Sequence, residues 1–187
     1  MKKTTAPLSA VLALLLSVTA VPAVEVAGVK LPETQSVDGK TLKLNGAGVR
    51  KKAIFKVYTA GLYVETPAKD SAVLISSNQA KSMHLWMLRN VEGPKISGAI
   101  AEGFELNSKS AMPQLQPRLD QLAKLIPDVK EGEQIALTWI PDKGTVVNVR
   151  GTDVGTIEGR DFADALFAVW LGPNPVQDDL KKALSGN

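Results

Sequence analysis

Arg50 has the most specific chemistry open to it of any residue in this sequence. It follows Gly46-Ala47-Gly48-Val49 and precedes Lys51 and Lys52, between a glycine-rich stretch and the apolar run Ile54–Val64 (IFKVYTAGLYV). A guanidinium presents a planar fork of donors that grips a carboxylate through two parallel hydrogen bonds. At the mouth of an apolar cavity it would hold the anionic end of an otherwise oily molecule. Lys51 and Lys52 suit a solvated basic edge that discourages strand pairing between molecules. Arg50 could also be paired internally, to an acid such as Glu65. Both uses stay open at this point.

Other chemistries are excluded by what the chain lacks. It has no cysteine and one histidine, His84. Thiol mechanisms, disulfides and cysteine metal sites are therefore absent, and one imidazole cannot build a multi-histidine zinc site. His84 alternates with Leu85 and Trp86 in a strand-like run, the setting of a satisfied structural histidine. No serine sits in a G-x-S-x-G elbow, and no phosphate-cradling glycine motif occurs. Gly46-Ala47-Gly48 begins a G-x-G-x-x-G pattern, but Lys51 stands at the third glycine. The sequence implies neither cofactor nor metal. Nine aromatic residues, with no basic stripe beside them, do not make a nucleic-acid platform.

Periodicity supplies the elements that must position these residues. Val24–Val29 reads as a short strand interrupted at Leu31-Pro32. Asp38-Gly39 is a hairpin turn signal, followed by the alternating strand Thr41–Leu44. Asn45–Gly48 breaks the pattern, and Ile54–Val64 resumes it, with Gly61 marking a bend or a close approach. A short helix is expected over Asp70–Ser77 and a strand over Ser82–Val91. Ile96, Ala99, Ile100 and Phe104 form one helical stripe. Leu115, Leu119, Leu122 and Ile126 form another, in a helix over Ser110–Ile126 whose start Pro113 and Pro117 confine. Gln134–Ile140 and Thr145–Val149 make a hairpin, and Gly151-Thr152-Asp153 turns into the strand Val154–Ile157. The strongest helix is Asp161–Leu171, with Phe162, Leu166, Val169 and Trp170 as its buried stripe and Gly172-Pro173 as its stop. Pro175 opens a last helix carrying an Asp178–Lys182 pair. Together these make one α+β domain with a mostly antiparallel sheet.

The first 23 residues read as a signal peptide. Lys2 and Lys3 form its positive end, Leu8–Ala20 its apolar core, and Val21-Pro22-Ala23 its cleavage site. The apolar core is too short to span a bilayer, which takes about 20 residues. Cleavage near Ala23 leaves residues 24–187, with 20 basic residues against 19 acidic ones, a net charge of +1. A near-neutral domain gives little support for nucleic acid or an anionic surface as a general partner. No later segment is apolar enough to cross a membrane. The expected location is the periplasm.

The segment Gly46–Glu65 (GAGVRKKAIFKVYTAGLYVE) resembles the signature of the chalcone isomerase-like family, in which a Gly-x-Gly-x-Arg turn leads into a strand ending in Gly-hydrophobic-Tyr. Gly155–Gly172 (GTIEGRDFADALFAVWLG) is similar to that family's C-terminal helix and its Leu-Gly stop. The likeness covers Val24–Leu184 and is nearest to the bacterial exported branch. It implies an open-faced β-sandwich, a curved sheet with helices on one face and a ligand cleft between. It also implies that Arg50 contacts a ligand's anionic group. Tyr58 falls where the plant isomerases carry threonine, and Val169 and Trp170 fall on a threonine and a methionine of their pocket. Their catalytic tyrosine and its asparagine neighbour fall near Lys95 and Glu102. The arginine is kept and most of the polar network is not, so flavonoid isomerisation is not expected.

The leading functional expectation is therefore an exported, non-catalytic protein that binds a small apolar carboxylate such as a fatty acid. Ile54, Val57, Leu62, Phe104, Phe167, Val169 and Trp170 would line the cleft. Arg50, with Tyr58 and Glu102, would complete the ligand site. One alternative is an intramolecular lyase acting on an unsaturated ketone, with Tyr58 or Glu102 as acid or base. The other is an envelope interaction protein without a small ligand.

Overall fold

Two-residue turns in which both central residues have positive φ join antiparallel strands whose right-handed twist they match. Asp38 (φ 50°) and Gly39 (φ 76°) form the expected one. It links β3 (Thr34–Val37) to β4 (Lys40–Lys52). In this computed structural model, which describes residues 22–187, the same device recurs at Ala27-Gly28 and Arg150-Gly151. The former joins β1 (Ala23–Val26) to β2 (Val29–Pro32), so the chain runs on as a strand through Leu31-Pro32. The latter joins β8 (Gly144–Val149) to β9 (Thr152–Ile157), so that turn lies one or two residues earlier than expected. Residues 1–21 of the expected signal peptide lie outside the described residues.

The main sheet has seven strands in chain order, β3 to β9, every neighbour antiparallel. Besides those named, it contains β5 (Phe55–Val64), β6 (Lys81–Met87) and β7 (Gln134–Ile140). Helix α1 (Ser71–Ser76) sits between β5 and β6. Helices α2 (Gly93–Ser108) and α3 (Met112–Leu125), joined by one 3₁₀ turn, sit between β6 and β7. Pro117 lies inside α3, where it removes one backbone hydrogen bond. Helices α4 (Arg160–Leu171) and α5 (Asp178–Leu184) close the chain. This curled sheet with helices on one face is the expected α+β architecture.

Strand alternation decides what each face buries. Ala60, Leu62 and Val64 of β5 join Met83, Leu85, Met87, Leu137 and Val147 in one core with the helices. Helix α4 lies at the centre of that core, and nine of its twelve residues are buried. It is thus apolar nearly all round and not a one-sided stripe, as befits a helix enclosed between sheet and neighbouring helices.

The opposite face is partly roofed by the β1–β2 hairpin. Leu31 is fully buried there. Thr59 Oγ1 donates to the Val26 carbonyl at 3.2 Å, and Tyr63 Oη to that of Pro32 at 3.0 Å. Leu31 explains Gly61: a Cβ at that position would lie 2.7 Å from its Cδ2. The close approach expected at Gly61 is thus made by a side chain.

On the same face, His84 lies between Tyr63 and Trp86, its ring tilted against both, with ring centroids 4.9 and 5.3 Å away. Burial pushes its imidazole down to about 4. The unfolded chain, with an ordinary histidine near 6.5, then holds the extra proton between those values. Stability should fall as pH drops from about 6.5 to about 4, by at most about 3 kcal/mol. Urea titrations of the protein and of His84→Gln at pH 7 and pH 4.5 measure it. Equal slopes of stability against pH in both would show that His84 carries no such linkage.

Gly46-Ala47-Gly48 does not break the strand. It continues inside β4, with a register shift between Leu44 and Gly46. The reason is α5, which packs directly on these glycines. A Cβ at Gly46 would lie 2.1 Å from the Ala183 carbonyl oxygen, and one at Gly48 2.9 Å from the Ala183 Cβ. Gly46→Ala should therefore displace α5 and cost about 1–3 kcal/mol. Gly98→Ala, on α2 with open space around it, should be neutral or stabilising. Thermal melts of the two variants test the contrast; equal melting temperatures would show that α5 yields freely.

Candidate functional site

The antiparallel register places Arg50 of β4 opposite Tyr58 of β5, and Tyr58 opposite Met87 of β6. This row forms one wall of a hollow of about 940 Å³. Helix α2 forms the facing wall with Ile96, Ala99 and Gly103, and Pro175 and Val176 of the α4–α5 connection close one end. The volume falls at the upper end of small-molecule sites. Small residues on α2 keep the hollow wide. Gly103 is also needed behind it, since a Cβ there would lie 2.8 Å from Val169.

Arg50 is half-buried, and its guanidinium is held by uncharged partners. Nη1 donates to the Lys51 carbonyl and, at 3.4 Å, to Gln177 Oε1. Gln177 Oε1 also accepts from the Lys51 amide at 2.8 Å, and its amide nitrogen donates to the Val49 carbonyl at 3.2 Å. Among the described residues, the ion pairs within 4.0 Å do not include Arg50. The internal partner considered for it, Glu65, is bound elsewhere, to Lys40 at 2.8 Å and to the Ala80 amide at 2.6 Å.

Tyr58 accepts a hydrogen bond from Trp170 Nε1 at 2.9 Å. Burial pushes its phenol up to about 12, against the smaller opposing effects of Trp170 and Arg50. The hydroxyl therefore keeps its proton at neutral pH, and with Trp170 filling one acceptor position that proton can point into the hollow. A guanidinium and a neutral O–H on adjacent strands are the donors a carboxylate needs.

The expected site residues do not all reach the hollow. Arg50, Tyr58, Glu102, Lys95 and Val57 line the hollow. Lys95 and Glu102 lie exposed along α2, and Lys95 is paired with Glu92 at 2.9 Å. Val169 and Trp170 are each 2% exposed and stand behind the wall: Trp170 orients Tyr58, and Val169 packs on Gly103. Leu62, Phe104 and Phe167 are fully buried core, because the strand and helix faces that carry them meet each other and leave no gap. Ile54 is 88% exposed at the β4–β5 turn, since the strand begins only at Phe55. Missed from the sequence were Gln177, which steadies Arg50 from 127 residues away, and Met87. No local pattern could have shown Gln177. Pro175 suggested a helix start, but α5 begins at Asp178 with Gln177 as its N-cap.

Among the described residues, no group of three or more His, Asp or Glu side chains could hold a metal. None of their helices is long and apolar enough to cross a membrane.

No match was found among curated proteins. A crystal structure of a fatty-acid binding protein from Arabidopsis thaliana superposes with a TM-score of 0.69 at 15% identity, covering 86% of this chain and 93% of that one. At that identity the likeness concerns the fold. A family model described as chalcone isomerase-like matches residues 23–186. By that match, and by the curled antiparallel sheet with helices on one side, the chain belongs to the chalcone isomerase-like family.

Proposed function

We propose that this protein binds a small apolar molecule bearing a carboxylate, such as a fatty acid, in the hollow beside Arg50, and does so without turning it over. The observation that carries this reading is a half-buried guanidinium, without an acidic partner within 4.0 Å among the described residues, next to the protonated hydroxyl of Tyr58 in the wall of a roomy hollow lined mostly by apolar residues. A buried cation and a carboxylate each relieve the other's desolvation, so a charged guest suits this wall better than a neutral one. The fold shared with a fatty-acid binding protein supports the same reading.

The isomerase alternative would use Arg50 and Tyr58 as donors to a developing oxyanion. It needs an acid–base partner: a phenol held near 12 is poorly matched to remove a proton at neutral pH, which leaves that part to Glu102, exposed on α2 and lining the hollow. Val169, at the position of a pocket threonine in the plant isomerases, supplies no donor. The N-terminal pattern of residues 1–23 supports export, with residues 24–187 working in the periplasm as one domain. Cell fractionation with N-terminal sequencing of the recovered protein tests that part.

The decisive experiment displaces an anthroyloxy-labelled fatty acid with palmitate and with methyl palmitate. Palmitate should compete on the order of tenfold better, because only the acid engages a charge-assisted hydrogen bond. Equal competition by both, or no binding of the labelled probe, rejects the reading. Turnover of a chalcone that Arg50→Ala abolishes would favour the isomerase.

A further inference from the structure

The β4–β5 turn is the most conspicuous surface feature that the binding site does not absorb. Ile54 is 88% exposed and Phe55 55% exposed, side by side at the tip. Lys51, Lys52 and Lys56 bracket them and are all exposed. Arg89 adds a fourth cation, its guanidinium 5.0 Å from the centre of the Phe55 ring. Between Asp38 and Glu65 the chain carries no acidic residue, so this hairpin is cationic throughout.

Scattered single apolar residues on a surface call for no explanation. Here two adjoin at a protruding tip, ringed by cations, at the mouth of a hollow: Lys52, Phe55 and Arg89 also line that hollow. Among the described residues, no ion pair within 4.0 Å engages Lys51, Lys52, Lys56 or Arg89. Glu92 is engaged by Lys95 at 2.9 Å, Glu102 lies across the mouth on α2, and Asp179 borders the shallow groove beside Lys51 and Lys56. Aliphatic and aromatic side chains that enter the acyl boundary while lysines reach the headgroups are the pattern of an interfacial anchor. A second copy fits poorly, since a two-fold contact through this tip would bring like charges together.

We propose that the Ile54-Phe55 tip docks on an anionic lipid bilayer, so that the hollow opens toward the membrane surface. Its consequence, loading of an apolar guest directly from lipid, rests on the binding reading above; the docking itself does not. The net charge of the domain is small, and the anionic surface is recognised by this local concentration of cations. Each lysine near an anionic surface strengthens partitioning by about fivefold at low salt.

The absence of cysteine makes the test clean. Ile54→Cys carries an NBD fluorophore in one preparation of the full chain, and Val154→Cys, on the far edge strand β9, carries it in another. The label reports its own depth, whatever another segment does. With phosphatidylcholine–phosphatidylglycerol vesicles, emission at position 54 should rise severalfold and shift to the blue, while position 154 stays silent. Pure phosphatidylcholine should give little response, and high salt should reverse the signal. Adding Lys51→Glu and Lys56→Glu, which lie outside the hollow, should weaken partitioning by on the order of tenfold or more.

A silent label at position 54, or equal responses at 54 and 154, overturns the proposal. An equal response to neutral vesicles removes the anionic partner. A blue shift that grows with protein concentration without vesicles assigns the tip to self-association. Titrating the same labelled protein with fatty acid in the absence of vesicles separates the two readings. Docking without ligand binding defeats only the proposed function, and ligand binding without docking defeats only this inference.

Discussion

Arg50→Ala should weaken binding of a fatty acid by about 2 kcal/mol, roughly thirtyfold, and leave binding of the methyl ester nearly unchanged. Removing one partner of a desolvated charge pair costs about 2–5 kcal/mol. Arg50 is half-buried, so water screens part of the interaction and the lower end applies. The ester comparison isolates the charge, because both ligands bury the same chain. Arg50→Lys should recover part of the loss, since it restores the charge but not the planar fork. Tyr58→Phe should cost less, about 1 kcal/mol, as it removes one neutral donor. If Arg50→Ala binds acid and ester as the unmodified protein does, the carboxylate is held elsewhere and the site assignment fails.

The largest expected loss of stability comes from a residue far from the hollow. Lys81→Met should destabilise the fold by about 3 kcal/mol, which for a domain of this size lowers the melting temperature by about 6–12 °C. Lys81 is fully buried, with Asp164 Oδ1 3.5 Å from its Nζ. Its ammonium also donates to the carbonyls of Leu74, Ile75 and Ser77, at the C-terminal end of α1. It thereby caps a six-residue helix that has no basic residue of its own in its last turn. The ring of Phe167 lies under the ammonium, its centre 5.2 Å away. Burial pulls the ammonium below the usual lysine range, and Asp164 works against that fall. Methionine keeps the apolar stem and deletes the charge, orphaning the carbonyls and leaving Asp164 with Arg160 at 3.7 Å. Asp164→Asn should cost clearly less, because the three carbonyls keep their donor. Melting curves of both variants decide it; equal losses would show that the ion pair, not the cap, stabilises α1.

Much of the architecture was legible before any coordinates, because it depends on local periodicity. The Asp38-Gly39 turn specified a hairpin through its left-handed backbone. The spacing of Ile96, Ile100 and Phe104 specified α2, and Gly172 ended α4. The misreadings share one cause. Gly46 and Gly48 looked like a strand break, since no local signal says that α5, some 137 residues later, needs their missing side chains. The resemblance put Val169 and Trp170 in the pocket, and their apolar side chains announce burial without saying whether a void adjoins them. Ile54 looked like cleft lining because hydrophobicity cannot reveal that a turn has lifted it into solvent.

What the sequence alone determined was therefore the alternation of strands and helices and the presence of an arginine after a glycine-rich stretch. Those properties arise from φ and ψ preferences, residue period and side-chain type over a few neighbouring positions. Only the tertiary structure decided that Arg50 meets Tyr58 and Gln177 beside a hollow, that Trp170 serves from behind, and that Lys81 caps a helix from the core. These outcomes depend on how far apart two packed surfaces come to rest, a distance set by every side chain between them and by none singly.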